Sequence, residues 1–269
     1  DLQASASAPQ VVAPAVAGLP AVDAEVAEPE PVAPARSEHY ETILDAERFA
    51  VWLAKLQQAE LIAFDTETTS VDAQQAQIVG VSFAVKTGEA AYVPLTHSYM
   101  GVPTQLDRDT VLKALKPLLE DPHKAKVGQH AKYDINVLAN CALDGDPSNG
   151  INVQGVAFDS MLESYVLDST ATRHNMDALA LKYLDYRTIA FEDIAGKGAK
   201  QLTFDQIALE LAGPYAAEDA DITLRLHQAL WPQLQAIPSL AKVLTEIEMP
   251  LVPVLARIER QGALVDAQL

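Results

Sequence analysis

Leu61-Ile62-Ala63-Phe64-Asp65-Thr66-Glu67-Thr68 is the stretch around which this chain is organised, an apolar run that ends in two carboxylates. An apolar run followed by turn-prone threonine and serine predicts a short buried strand. Because alternate residues of a strand share a face, Asp65 and Glu67 are expected to project in the same direction. Neighbouring buried carboxylates raise each other's pKa unless a cation lies between them, and Mg²⁺ prefers such oxygen ligands. A metal site is therefore one interpretation, and two solvated acids in the turn after a strand are the other.

The composition indicates a soluble globular protein. The chain has 269 residues, of which 49% are apolar, enough for one large domain or two small ones. It begins at Asp1 and not at methionine, so we expect a fragment of a longer protein. We find no signal peptide and no stretch that approaches the roughly 20 apolar residues needed to span a bilayer, so we expect no membrane partner. The single Cys141 excludes an internal disulfide and is compatible with a reducing cytoplasm.

The charge narrows the possible functions. A formal net charge of −18 argues against nonspecific binding to duplex nucleic acid, where Lys and Arg must neutralise phosphates. Divalent ions can nevertheless mask carboxylates and supply the positive charge that a phosphodiester needs. The histidines contain no i, i+4 pair, which argues against a zinc-protease centre. The metal ligands that this sequence offers are therefore oxygen atoms.

The chain divides into an extended N-terminal segment and a mixed α/β region. Residues 1–38 are rich in alanine and proline without an aromatic residue, which predicts a disordered interdomain linker. An amphipathic helix follows, and strand-like runs at 77–85 and 90–95 predict an antiparallel meander with the carboxylate strand. From residue 125 onward, short apolar pieces alternate with helices, which predicts parallel strands joined by crossover helices. The fold class is therefore α/β with a mixed sheet.

The second half of the chain is mostly helical. Helices are predicted at about 108–120, from the apolar piece at 125–128 to about 140, and at 160–167, 176–184, 204–211 and 214–230. Pro214 suits a helix start, although it could instead lie within one longer, kinked helix. The loop at 144–150 has the composition of an exposed insertion.

Acidic residues near Tyr215 are candidates for the same site. Tyr215 and Asp219 stand four residues apart and share one face of a helix. A carboxylate in this otherwise apolar stripe needs a partner, whereas Glu218 and Asp221 are expected to point to water. The alternative is that all these acids decorate the first turns of a helix and favour its dipole.

Two further acids, Asp134 and Asp159, lie where a strand gives way to a helix. A helix cap or first-turn acid is the simpler interpretation of each. For Asp159 the case is stronger, because the Ser160 and Glu163 that follow it have the spacing of a capping box.

Taken together, these segments resemble the DEDD exonuclease superfamily. The matching motifs are Phe-Asp-Thr-Glu-Thr at 64–68, Gly-Gln-His-Ala-Lys-Tyr-Asp at 128–134 and Tyr-Ala-Ala-Glu-Asp at 215–219. The tyrosine four residues before the last aspartate is typical of the DEDDy branch. Residues 247–259 resemble the entry to the polymerase region of family A DNA polymerases, and residues 173–177 and 194–198 resemble their proofreading domain. His130 departs from the pattern, since the family commonly has asparagine there.

The resemblance implies an RNase H-like fold, with a five-stranded mixed sheet surrounded by helices. It implies two divalent ions, Mg²⁺ with Mn²⁺ or Zn²⁺ as alternatives, and a Tyr215 that orients the attacking water. Asp65, Glu67 and Asp219 would hold one ion, while Asp65 and, through water, Asp134 would hold the other. The residues that the resemblance places along the substrate channel are Gln129, Lys132, Tyr133, Arg173, Met176 and Phe191, with core packing as the alternative for Met176 and Phe191.

The implied function is a metal-dependent 3′ to 5′ exonuclease that removes nucleoside monophosphates from single-stranded or mismatched DNA 3′ ends, within a bacterial, cytoplasmic DNA polymerase that proofreads in replication and repair. The expected partners are a single-stranded DNA 3′ end and the rest of the polymerase chain, with the protein itself a monomer. The expected domains are a linker at 1–38, the exonuclease at 39–238 and the start of a polymerase domain at 239–269. The alternatives are a ribonuclease D-like 3′ exoribonuclease and a catalytically inactive spacer domain.

Overall fold

The computed structural model describes residues 39–170 and 172–264, so the predicted linker at 1–38 lies outside the described residues. Within these residues, a mixed sheet of six strands is surrounded by helices. No helix in the described part of the chain is long and apolar enough to cross a membrane. The strands are β1 (His39–Thr42), β2 (Leu61–Thr68), β3 (Ile78–Lys86), β4 (Glu89–Pro94), β5 (Ala125–Gly128) and β6 (Val156–Asp159). Their order across the sheet is β1-β4-β3-β2-β5-β6.

The strand directions confirm the predicted meander and the α/β alternation. β2, β3 and β4 are antiparallel neighbours, while β5 and β6 add to β2 in parallel. The prediction of five strands was wrong by one, because β1 pairs in parallel with β4 at the other edge. Its sequence, His-Tyr-Glu-Thr, has no apolar run to mark it as a strand. Pairing with the neighbouring strand, not burial of its own side chains, makes it extended.

Helices connect the strands and cover both faces of the sheet. Several begin at a capping side chain, as at Asp45, Asp107 and Asn175, which each accept a hydrogen bond from a backbone N–H of the first turn. The first six helices are α1 (Ala46–Gln58), α2 (Arg108–Leu119), α3 (Ala131–Ala139), α4 (Ser160–Leu167), α5 (Met176–Leu184) and α6 (Phe191–Ala195). The last three are α7 (Leu209–Gln235), α8 (Pro238–Val243) and α9 (Met249–Gln261), with a π-helical turn at Leu244–Glu248 between α8 and α9.

The 27-residue helix α7 corrects the predicted helices at 204–211 and 214–230. Phe204–Gln206 is only a 3₁₀ turn, and α7 continues through Pro214. Proline removes the hydrogen bond to the carbonyl four residues earlier, here Glu210. Both residues are exposed, so water can reach that carbonyl. Tertiary packing of the rest of the helix then outweighs the local cost of the proline.

The alternation along β2 determines which side chains face α7. Ile62 and Phe64 pack into the core on the side of α1 and α2. Ala63, whose side chain points to the opposite face, packs in a second core with α7. Small residues of α7 let it lie close to the sheet, and they are Ala212, Ala216, Ala217 and Ala220. At Gly213 the approach is so close that an added Cβ would lie 2.0 Å from Thr42 Oγ1.

Candidate metal centre

Asp65 and Glu67 both lie within β2, on the face that Ala63 turns towards α7. They pair across the sheet with Ser82 and Gly80 of β3. Glu67 is only 9% exposed. The alternative of two solvated acids in a turn therefore does not describe these carboxylates.

Asp219 of α7 completes a group of three carboxylates. One oxygen atom from each of Asp65, Glu67 and Asp219 lies within 4.8 Å of the others. This juxtaposition follows from the packing of α7 across the face of β2, because no local sequence pattern links residues so far apart in the chain. Oxygen atoms at this spacing form a donor set of the kind that hard divalent cations use.

The electrostatics of this group favour a bound cation. Burial raises the pKa of Asp65 to about 7. Burial also raises the pKa of Glu67 and Asp219 well above the usual range for carboxyl groups, and the charge of Asp65 adds to both shifts. Among the described residues, the buried Glu67 Oε1 atom has no hydrogen-bond partner. A buried carboxylate oxygen without a partner is costly, and a divalent cation would supply the missing ligand interaction.

Asp134 stands beside this group, on the first turn of α3. It is 2% exposed. Its Oδ1 atom accepts hydrogen bonds from the backbone N–H of Thr66, at 3.1 Å, and from the Thr66 hydroxyl. Burial and the charge of Asp65 raise the pKa of the Asp134 carboxyl. The side chain therefore faces β2. Asp134 is a first-turn acid, but it does not cap its own helix.

Tyr215 faces the same site from one turn earlier on α7. Its hydroxyl donates a hydrogen bond to Asp219, which opposes the rise in the pKa of that carboxyl. Burial raises the pKa of Tyr215 above its usual value, and the charges of Asp219 and Glu67 add to the rise. The phenol therefore stays protonated and remains a hydrogen-bond donor at neutral pH.

An open cleft of about 560 Å³ lies next to Asp65 and Glu67. Its walls contain the aromatic rings of Tyr133, Phe191, Phe204 and Tyr215, together with His130. The Phe191 and Phe204 rings are stacked, with an interplanar angle of 11° and centroids 6.5 Å apart. The cleft thus combines two carboxylates of the Asp65, Glu67 and Asp219 cluster with aromatic side chains, and it is large enough for a nucleotide-sized ligand.

The remaining residues predicted to contact substrate are distributed unevenly. Tyr133 and Phe191 line the cleft, and Lys132 lines a smaller cavity beside it. Arg173 is exposed. Met176 packs against the core cluster formed by α5 and α7. Gln129 is engaged within the protein, since it accepts from Ser160 Oγ and donates to the His174 carbonyl at 3.0 Å.

The expectation that Glu218 and Asp221 point to water was wrong. Glu218 is 3% exposed and accepts hydrogen bonds from the Tyr186 hydroxyl and the Ile189 N–H. Asp221 is fully buried and accepts from the Tyr40 hydroxyl and the Gly88 N–H. The reason is that the middle of α7 is enclosed by the sheet on one side and by residues 183–195 on another, so residues 215–227 of the helix present little surface to solvent.

Asp159 caps α4, as predicted, but it also does more. Its carboxylate accepts from Met161 N and Leu162 N on α4. It accepts as well from His130 N and Ala131 N, where α3 begins. Asp159 therefore ties the helix that carries Asp134 to the end of β6. Glu163 does not complete a capping box, because it is buried and bonded to His227 Nδ1 at 2.7 Å.

Tyr92 and His97 form a support beside Glu67 that the sequence did not reveal. The Tyr92 ring lies against Gly80, where an added Cβ would be 2.3 Å from the ring. Its hydroxyl is 2.8 Å from His97 Nε2, and His97 Nδ1 is 3.1 Å from the Ile207 carbonyl. This chain of contacts links the sheet beside Glu67 to the segment that leads into α7. Only the lone glycine within an apolar strand could have indicated such a close approach.

Comparison with known proteins places this arrangement among exonucleases. A family model described as 3′-5′ exonuclease, for DNA polymerase A, matches residues 40–235. The chain is 78% identical over 230 residues to the DNA polymerase I of Pseudomonas aeruginosa, covering 86% of this chain and 24% of that protein. It is 41% identical over 247 residues to the DNA polymerase I of Rhizobium leguminosarum, covering 86% of this chain and 23% of the relative.

The fold is also found in structures with little sequence similarity. The Trypanosoma brucei RNase D structure superposes with a TM-score of 0.61 at 16% identity, covering 86% of this chain and 78% of that one. This likeness confirms the RNase H-like α/β fold alone. The chain spans about a quarter of the length of the two polymerase relatives.

Proposed function

Because this chain belongs to the 3′-5′ exonuclease family of DNA polymerase A, we propose that it removes nucleoside monophosphates from single-stranded or mismatched DNA 3′ ends in a metal-dependent reaction. The observation that carries the proposal is the group of Asp65, Glu67 and Asp219 oxygens within 4.8 Å of one another. These carboxylates line or adjoin an aromatic cleft, so the acidic group and a binding surface for bases lie side by side.

The residues fit divalent cations. We assign Asp65, Glu67 and Asp219 to one ion, and Asp65 with Asp134 to a second, with Mg²⁺ as the expected metal and Mn²⁺ or Zn²⁺ as alternatives. The Glu67 Oε1 atom supports this assignment, because it is buried and has no hydrogen-bond partner in the part of the chain that the structure describes. When bound, such ions neutralise the acidic group and supply the positive charge and Lewis acidity that phosphodiester hydrolysis requires.

The side chains of the chain itself bind and orient the reactants. The protonated Tyr215 hydroxyl would orient the attacking water, and its hydrogen bond to Asp219 supports this role. Stacking on the half-buried Phe191 ring, which Phe204 supports from behind, selects unpaired bases, because a base within a duplex has no free face to stack. Thr66 fixes the Asp134 carboxylate through two hydrogen bonds, so this acid is held in place before substrate arrives.

The biological setting is a further part of the proposal. We infer that residues 39–238 form the exonuclease domain and that residues 239–269 begin a polymerase domain, in a longer polymerase chain that proofreads during replication and repair. The relatives from Pseudomonas aeruginosa and Rhizobium leguminosarum are named DNA polymerase I, which supports this setting. We expect the protein to act as a monomer in the bacterial cytoplasm.

The test uses a 5′-labelled single-stranded DNA and its RNA counterpart, each incubated with Mg²⁺, Mn²⁺ or EDTA. We expect stepwise shortening of the DNA from its 3′ end with either metal and none in EDTA. Asp65→Ala and Asp219→Ala should abolish this shortening. The control Asp146→Ala removes an exposed carboxylate in the 144–150 loop and should leave the shortening unchanged. Wild-type rates in either site variant would refute the metal assignment, and preferential digestion of RNA would favour the ribonuclease alternative.

A further inference from the structure

Helix α9 returns to the exonuclease fold and brings an acidic residue close to the cleft. The helix is anchored by three buried side chains, Met249, Val252 and Ala256. Its last turn lies against α3, and there Glu259 projects towards the residues that follow β2. This segment lies beyond residue 235, where the match to the exonuclease family model ends.

Glu259 makes contacts to α3 through both carboxylate oxygens. Its Oε1 atom is 2.6 Å from Lys132 Nζ, and its Oε2 atom accepts from Asn136 Nδ2 at 3.2 Å. The Glu259 backbone carbonyl also accepts from Gln74 Nε2 at 3.2 Å. The end of α9 is thus attached both to α3 and to the loop after β2.

The position of this ion pair matters because of what lies beside it. Lys132 and Glu259 line a cavity of about 330 Å³, and His130, Tyr133 and Val71 line both this cavity and the carboxylate cleft. Among the described residues that line the two cavities, Lys132 is the one lysine or arginine. A DNA strand that extends from the cleft into the smaller cavity would therefore meet a single cationic side chain, and Glu259 already neutralises it.

We propose that Glu259 competes with a phosphate of the DNA strand for Lys132, so that α9 restrains entry of the strand into the exonuclease cleft. This inference rests on the proposed function, since it assumes that the cleft receives DNA. The ion pair is partly exposed, with side-chain exposures of 27% for Lys132 and 46% for Glu259. Exposed pairs are weak and exchange readily, so Glu259 acts as a competitor that the strand displaces and not as a permanent block.

The first experiment measures binding of a fluorescent single-stranded DNA oligonucleotide by anisotropy. It is done in Ca²⁺ or EDTA, so that binding is measured without cleavage. Glu259→Gln should tighten binding by about two- to fivefold, the range expected for one exposed ion pair. In Mg²⁺, the same change should lower KM by a similar factor and leave kcat unchanged, because Glu259 does not contact the cluster of Asp65, Glu67 and Asp219. Glu246→Gln is the matched control, since it removes the same charge from an exposed pair with Lys242.

A double-mutant cycle tests whether Lys132 mediates the effect. Lys132→Met should weaken binding, and adding Glu259→Gln to it should produce no further change. The proposal is overturned if Glu259→Gln and the wild type bind with equal affinity, if Glu246→Gln has the same effect, or if the Glu259 effect persists without Lys132. Failure of the exonuclease proposal is distinct, because it would appear as an absence of metal-dependent shortening by the wild-type chain itself.

Discussion

Replacing Asp65 by asparagine should stabilise the metal-free protein while it destroys the proposed metal site. Burial raises the pKa of Asp65 from 3.8 to about 7. In the unfolded chain the carboxyl group loses its proton near pH 4, but in the folded protein it holds the proton until about pH 7. The stability that comes from holding this proton is therefore fully present below about pH 4 and is lost as the pH rises through 7, where the buried carboxyl group becomes charged.

The magnitude follows from the difference between the two pKa values. Each pKa unit corresponds to about 1.4 kcal/mol, so ionised Asp65 disfavours the folded state by about 4 kcal/mol above pH 8. Water in the open cleft screens part of this charge, so we expect Asp65→Asn to raise the free energy of unfolding in EDTA by about 2–4 kcal/mol. For a domain of this size, that is a rise in Tm on the order of 5–10 °C.

Thermal unfolding at pH 5 and pH 8, each in EDTA and in Mg²⁺, measures both effects. The wild type should gain stability from Mg²⁺ at pH 8 and much less at pH 5, where protons compete for the carboxylates. Asp65→Asn should be more stable than the wild type in EDTA at pH 8, gain little from Mg²⁺, and lack nuclease activity. Glu60→Gln, an exposed carboxylate, is the control. A loss of stability in EDTA at pH 8, or an undiminished gain from Mg²⁺, would refute the reasoning.

Three other substitutions test the supports of the site. Gly80→Ala places a Cβ 2.3 Å from the Tyr92 ring, so we expect the free energy of unfolding, measured in urea, to fall by about 1–3 kcal/mol. An unchanged urea midpoint would contradict the contact. Asp159→Ala leaves N–H groups of α3 and α4 without their acceptor and should cost about 2–4 kcal/mol by the same measurement, whereas a cost below 1 kcal/mol would show that water replaces it. Tyr215→Phe should lower kcat by about 10²-fold and retain the Mg²⁺-dependent rise in Tm; full activity would exclude a role for the hydroxyl.

Local periodicity was sufficient for the parts of the fold in which one face is buried. The alternation in β2 correctly predicted that Asp65 and Glu67 share a face, and helices α4 and α5 begin and end at the predicted residues. It was insufficient where tertiary contacts decide. β1 is a strand because β4 lies beside it, and α7 continues through Pro214 because the surrounding structure holds it.

The candidate site shows the same division. The types and order of its acidic residues were visible in the sequence, and the comparisons confirm the family that they indicated. The partners of these residues were not visible, because the contacts join segments far apart in the chain. Asp134 faces Thr66, and the acids Glu218 and Asp221, expected in water, are buried against Tyr186 and Tyr40. Polar side chains on a helix give no local sign that a second layer will cover them.

The place of α7 in the chain has a consequence for biosynthesis. Asp65 and Glu67 leave the ribosome before Asp219, which follows only after about 150 further residues. Contacts between such distant segments form late, because the entropy of closing the intervening loop must be overcome first. A nascent chain that ends before α7 carries the acidic strand but lacks the third carboxylate and the tyrosine. If the proposed function is right, nucleolytic activity cannot arise until translation has passed α7 and the helix has docked on the sheet.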